Sequence, residues 1–456
     1  MPLLLGLVDT SHDPRSLPEG INLDGGERGV DLEDLHRKKG GSGGLLDSIF
    51  NMANSILGAG IIGLPYAISE AGLVTGTILL IILGIVTDWT IRLIVRNAKL
   101  SGRNSYIDIM DHCFGKSGRA AVSFFQFSFA FGGMCAFGII IGDTIPHVIA
   151  SLFPSLRTIP VLYLLTKRRF VIALCTICIS YPLSLYRDIA KLARASALAL
   201  AGMLLILISV VVESIKVEED SKLADLRGSD AARWTIIQPR IAEAIGVISF
   251  AFVCHHNSLL IYGSLSTPTM DRFDRVTHVA TGVSIVACLV MGLSGFLTFT
   301  DRTQGNILNN FSQSDLLINI ARLCFGMNMF TTLPLELFVC REVIEDYYFP
   351  HEPFSWQRHA LFTTSILMAS MFLALITCDL GVTLEITGGV SATALAFIFP
   401  AACYYKLLSP EQPWYGRHKL PAIVCASSGF IVMVMSLILA LTKAWRPEGA
   451  ARMCIE

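Results

Sequence analysis

The chain has 456 residues, of which 53% are hydrophobic and only 16% charged, and its mean hydropathy is +0.60. A soluble chain of this length would carry roughly 25% charged residues and divide into about three domains, so the composition excludes an ordinary globular protein. The formal net charge of −1 offers nothing to a polyanion, and nucleic-acid binding is excluded as well.

Residues 1–43 are polar, rich in Gly, Asp and Glu, and run out through Lys38 and Lys39 into a Gly/Ser stretch. That composition predicts a disordered tail. Its opening Met-Pro-Leu-Leu-Leu run is too short for a signal peptide. Apolar runs of about 20 residues then recur, each long enough to cross a hydrocarbon core of roughly 30 Å as a helix. Eleven spans are predicted, over 45–70, 73–95, 119–151, 169–186, 192–213, 241–262, 278–300, 315–339, 359–378, 381–405 and 421–443. A domain over 44–445 and a short C-terminal tail over 446–456 follow. The third span is overlong, which predicts tilt or an extramembranous part.

With the N-terminal tail and the even-to-odd loops in the cytosol, about 21 of the 35 Lys and Arg residues lie inside and about 13 outside, with Arg322 in a span. Lys167, Arg168 and Arg169 run against this trend. The sequon Asn310-Phe311-Ser312 falls in a loop assigned outside. The cysteines lie mostly in apolar runs, and Cys175 and Cys178 read as small hydrophobes on one helix rather than as a redox or zinc pair.

The first span holds Gly58, Ala59, Gly60, Gly63 and Pro65 within eight residues. Glycine inside a helix costs about 1 kcal/mol relative to alanine, and proline removes a donor. Two readings stand side by side. The segment unwinds where it lines a cavity, so that its freed amides and carbonyls become ligands. Alternatively, its small residues let two helices cross closely. Asn54 and Ser55, one turn before the glycines, tilt the balance to the first. The sixth span has Cys254, His255, His256, Asn257 and Ser258 at its centre, a costly place for polar groups unless they face protein or water. Either neighbouring helices satisfy them or this span breaks too; adjacent histidines diverge by about 100° on a helix, which argues against metal chelation.

The run from Asn51 to Tyr66 is similar to the first-span motif of the amino acid/auxin permease family, and within it to neutral amino acid transporters and fungal vacuolar amino acid transporters. Phe250 to His255 with Leu259 to Tyr262 resembles the sixth-span motif, and Arg322 through Thr331, Thr332 and Pro334 resembles the eighth. The likeness covers roughly residues 44–445. It implies an all-α integral membrane protein of the leucine-transporter type, with eleven transmembrane helices in a five-plus-five inverted repeat and helices 1 and 6 broken. It further implies proton- or sodium-coupled symport of amino acids, no cofactor, a cytosolic N-terminus, a monomer among membrane lipid, and a vacuolar membrane with the plasma membrane as alternative.

Carried over, the substrate site uses Ser55, Ile56, Gly58, Ala59, Gly60, Phe250, Phe252, Val253, Cys254 and His255. The sodium site of the family uses Asn54 with Thr331 or Thr332. Two departures bear on the ion: His256-Asn257-Ser258 stands where many members have His-Pro, and Phe330 stands where sodium-coupled members carry a hydroxyl. His255 is the expected proton-sensitive group, since imidazole titrates near neutral pH. Of the charges within or beside spans, Asp88 and Glu385 are expected to be structural, Glu336 to snorkel with Arg341 at a helix end, and Asp143 and Arg322 are left open. A transporting function has one rival of the same fold, an amino acid sensor. An intramembrane enzyme finds no HExxH or GxSxG motif to support it.

Overall fold

The computed structural model describes residues 44–159, 161–185, 196–350 and 352–445. The tails expected over 1–43 and 446–456 lie outside the described residues. Among those described, ten helices are long and apolar enough to cross a membrane, and one further pair, Leu45–Ile56 with Ala59–Ala71, makes an eleventh bent by 43°. The expected eleven spans are therefore present, in the expected order.

Their outward faces are hydrocarbon. Ile78, Ile82 and Ile85 on the second span, and Val279, Val283, Val286 and Val290 on the seventh, form exposed stripes at helical spacing. Water would penalise such stripes, whereas lipid chains solvate them.

Several helices outrun their apolar cores. The second runs Leu73–Ser101, the seventh begins at Met270, and the eighth runs Leu316–Tyr348. Hydropathy marks the hydrocarbon-embedded part, but a helix continues into the interface until something stops it. The second stops at Gly102, whose φ of 66° puts it in the left-handed region that favours glycine. The third runs Tyr106–Leu152 and is interrupted at Gly115, with φ 65°. Its first ten residues are thus a separate segment before the span, and the stretch that follows, to Leu152, is still overlong for a hydrocarbon core. The fifth span runs on past its expected end, to Glu219. Glu218 pairs with Arg233 at 2.9 Å, so the helix end is fastened to the short helix Asp230–Arg233.

Both expected breaks are present. In the first span the helix Leu45–Ile56 ends at Leu57 and Gly58, a 3₁₀ turn covers Ala59–Gly63, and a second helix covers Leu64–Ala71. Pro65 sits in the first turn of that second helix, where a missing N–H costs nothing. In the sixth span the helix Ile241–Phe252 ends at Val253, which is extended at φ −72°, ψ 113°. A 3₁₀ turn covers His255–Asn257, and a helix covers Ser258–Ser264.

The two broken spans pack together, with the second and seventh spans against them. The end of the first and the start of the sixth are joined by backbone: Leu73 N–H donates to Thr235 O at 2.9 Å, and Gln238 N–H to Ala71 O at 2.8 Å. Arg240 adds a two-pronged bond to Glu70 at 2.9 and 3.0 Å. The third and eighth spans pack along each other, and the tenth lies on the first half of the sixth, Ile241–Phe252.

The undecided charges find structural roles. Arg322 is fully buried and donates to Leu308 O, Phe311 O, Ser312 O and Asn319 Oδ1 at 2.7 to 3.4 Å. It fills the carbonyl-lined inside of the loop before its own helix. Asp143 accepts from Arg168 and Asn309 at 3.2 Å each, and Arg168 also donates to Ala374 O and Thr377 O. This binding accounts for one of the three basic residues that ran against the orientation rule. Asp88 is paired with Arg92 at 2.6 Å and His278 at 3.0 Å, and Glu385 accepts from the Tyr66 hydroxyl at 2.8 Å, both as expected of structural groups.

The snorkelling pair is not formed. Arg341 is buried, donating to Ser184 O and Thr363 Oγ1, while Glu336 lies against Gly133 of the third span. The two are five residues apart and leave the helix on different faces.

Candidate functional site

The two breaks meet. A β-carbon on Gly60 would lie 2.5 Å from Ala251 Cα and 2.8 Å from Ala251 Cβ, so only glycine permits this approach. The close-crossing reading of the small residues is therefore correct at Gly60. At Gly58 it is not, because a β-carbon there would meet only Ser55 O, at 3.9 Å. Gly58 borders open space. On the facing segment, Asn257 Nδ2 donates to Ser55 Oγ at 3.5 Å, so one long polar contact links the breaks.

Accessibility sorts the predicted residues. Asn54, Ser55 and Gly58 are half-buried along one face of the first span, and His256 and Asn257 are half-buried across from them. These line the junction. Ile56, Ala59, Gly60, Phe250, Phe252, Val253, Cys254 and His255 are buried and serve it through backbone or packing. The extended Val253 and the turn at Leu57–Gly58 interrupt both helical hydrogen-bond ladders at the same place. Their amides and carbonyls are the polar groups that such a junction offers a small zwitterion. At the amino end of the Leu64–Ala71 helix the Leu64 and Ile61 amides are bonded within the turn, to Ile61 O and Gly58 O, and Pro65 has none.

His255 turns away from this junction. Its Nε2 lies 2.9 Å from Thr90 Oγ1 on the second span, Thr90 in turn bonds to Val86 O and Thr87 O, and the ring is 1% exposed. His256 faces inward instead, its ring 5.8 Å from that of Phe129, which lies 5.4 Å from Phe250. Sequence reasoning missed Thr90 and Phe129, because nothing in a single apolar span tells which turn faces a break elsewhere. It quoted His256 and Asn257 without giving them a role; their half-exposure is the signal that separates them from His255.

Of the expected cation ligands, Thr331 and Thr332 both donate their hydroxyls to Asn328 O at 2.8 Å, and Asn54 lies on the half-buried face of the first span. Phe330 is buried beside them. The sequon residue Asn310 is also committed, donating to Arg302 O at 2.8 Å and accepting from Gln304 N at 2.9 Å.

Comparison with known proteins agrees with this architecture. The family model for "Transmembrane amino acid transporter protein" matches residues 41–442. Vacuolar amino acid transporter 2 of Saccharomyces cerevisiae is 38% identical over 414 residues, 89% of this chain and 85% of its own. A Danio rerio protein named "Putative sodium-coupled neutral amino acid transporter 11" is 41% identical over 416 residues, 91% of this chain and 90% of its own. The crystal structure of MhsT in complex with L-phenylalanine is similar in fold, with a TM-score of 0.55 over 86% of this chain and 98% of that one, at 14% identity. The fold is of the leucine-transporter type, with its first and sixth helices broken, and these relatives are transporters rather than enzymes. The chain is a multi-pass membrane protein that belongs to the transmembrane amino acid transporter family, the amino acid/auxin permeases.

Proposed function

We propose that the chain is a secondary active transporter that carries amino acids across a membrane by alternating access. The observation that carries this reading is the meeting of the two breaks at Gly60 and Ala251, with the half-open polar face of Asn54, Ser55, Gly58, His256 and Asn257 beside it. The substrate carboxylate rests on first-span amides and its ammonium on carbonyls freed at the end of each inner or outer half-helix. Rocking of the broken spans against the third and eighth then exposes the site to one side or the other. The vacuolar membrane is the proposed location, in keeping with the name of the yeast relative.

The coupling ion is a proton or sodium, and a sodium ion would be held by Asn54 with Thr331 or Thr332. The test is uptake of a radiolabelled panel of amino acids by the purified chain in liposomes, with and without sodium, at two pH values. Saturable uptake of some members supports the reading, and uptake of none overturns it.

A further inference from the structure

Every buried or half-buried charge described above has a partner except one. Glu336, in the eighth span, has neither a hydrogen bond nor an ion pair among the described residues. It lies on the inward face of its helix. Asn328, Thr332 and Glu336 follow one another at four-residue spacing, each half-buried, while Met327 and Leu323 mark the face turned to lipid. Its Cγ stands 3.9 Å from the place a β-carbon would take on Gly133 of the third span, as does the ring edge of Phe137. Neither contact is tight, so the absence of a side chain at Gly133 leaves room in front of the carboxyl group.

The position matters as much as the isolation. Gly133 is one helical turn, about 6 Å, from Phe129, and Phe129 packs its ring on Phe250 and His256 at the sixth-span break. Glu336 therefore stands on the wall formed by the third and eighth spans, beside the junction where the substrate is placed.

We propose that Glu336 carries the coupling proton, taking it up from the aqueous path on one side of the membrane and giving it to the path on the other. This rests on the transport reading above. The physical case is charge balance. Among the described residues an ionised carboxylate here has no cation to offset its desolvation, so the transporter reorients with Glu336 neutral, and the group ionises only when an aqueous path opens to it.

The groups that face it supply no alternative counter-charge. Among the described residues the titratable group beside it is the thiol of Cys340 on its own helix, which in turn lies near Cys135 of the third span. The fourth, fifth and ninth spans, which also pack on the eighth, bring no charged side chain to it among the described residues. Of the two sixth-span histidines, His255 is held by Thr90, and His256 packs on Phe129 at the junction itself, whereas Glu336 stands on the wall beside it.

The test uses the full chain in liposomes and a radiolabelled mixture of the standard amino acids. For the wild type, an imposed gradient of about one pH unit should drive about tenfold accumulation above the equilibrium level, and unlabelled amino acids inside should drive counterflow without a gradient. Glu336→Gln should lose gradient-driven accumulation and keep counterflow. Glu336→Asp, which restores a carboxyl group, should regain accumulation with a displaced pH profile, and it serves where the glutamine variant does not fold. Accumulation by Glu336→Gln equal to wild type overturns the proposal, as does a variant defect confined to lysine and arginine, which would make Glu336 a receptor for cationic side chains. A wild-type protein with counterflow but no response to the pH gradient also overturns it while leaving transport intact. Failure of wild-type counterflow refutes the transport reading itself.

Discussion

Gly60 and Ala251 touch backbone to backbone: a β-carbon on Gly60 would sit 2.5 Å from Ala251 Cα. This contact holds the first break on the sixth span, and Gly58, two residues earlier, is free of it. The two glycines should therefore respond differently to one added methyl group. Gly60→Ala should destabilise the protein by about 1–3 kcal/mol, the usual range for overpacking, since the obstruction is backbone. Gly58→Ala should leave the melting temperature of the purified protein close to wild type and weaken amino acid binding, because its methyl points into open space. Melting curves with and without substrate separate the two outcomes.

Arg322 should behave as a structural residue. Removing it by Arg322→Leu leaves the carbonyls of Leu308 and Phe311 and the Asn319 amide oxygen without a donor, at about 1–3 kcal/mol for each buried group left unsatisfied. Arg322→Lys should rescue little, since an ammonium is a compact point of charge and cannot span the same fork of acceptors. Size-exclusion profiles of the detergent-extracted variants should show both losing monodisperse protein, with lysine only marginally better.

Asn310 should carry no glycan. Its amide nitrogen is bonded to Arg302 O and its oxygen to Gln304 N, and N-glycosylation needs the former free. Treatment with an endoglycosidase should leave the electrophoretic mobility of the expressed protein unchanged. A shift abolished by Asn310→Gln would show that the site is modified before the loop folds around Asn310.

His255→Gln should lower thermal stability, by breaking the 2.9 Å contact with Thr90, and should leave the pH dependence of uptake in place. The sealed position of the ring separates it from any path for protons. A flattened pH profile in this variant would restore histidine as the proton-sensitive group and count against Glu336.

Much of this arrangement was legible in the sequence, and the reasons differ from element to element. Gly58, Gly60, Gly63 and Pro65 announce a break because their effect on a helix is local, and bilayer-length apolar runs announce spans because hydrocarbon imposes a length. Helix ends were less legible. The third span's separate first segment depends on Gly115, and the fifth span's extension on an ion pair to Arg233, neither of which hydropathy registers. The roles of buried charges were least legible. Glu336 and Arg341 are near in sequence yet point apart, and Arg322 finds its partners in loop carbonyls that no pattern of side chains reveals. At the candidate site, adjacent positions His255 and His256 have opposite surroundings, because one residue along a helix turns the side chain by about 100°.

The most direct test of the paired-break account is counterflow of labelled amino acids into liposomes holding the wild type or Gly58→Val. Gly58 borders the junction without packing on the sixth span, so valine there fills the site and leaves the protein folded and inserted. Robust exchange by the wild type and none by a correctly folded Gly58→Val is the predicted result. Exchange by Gly58→Val at the wild-type rate would contradict the placement of the substrate between the two breaks.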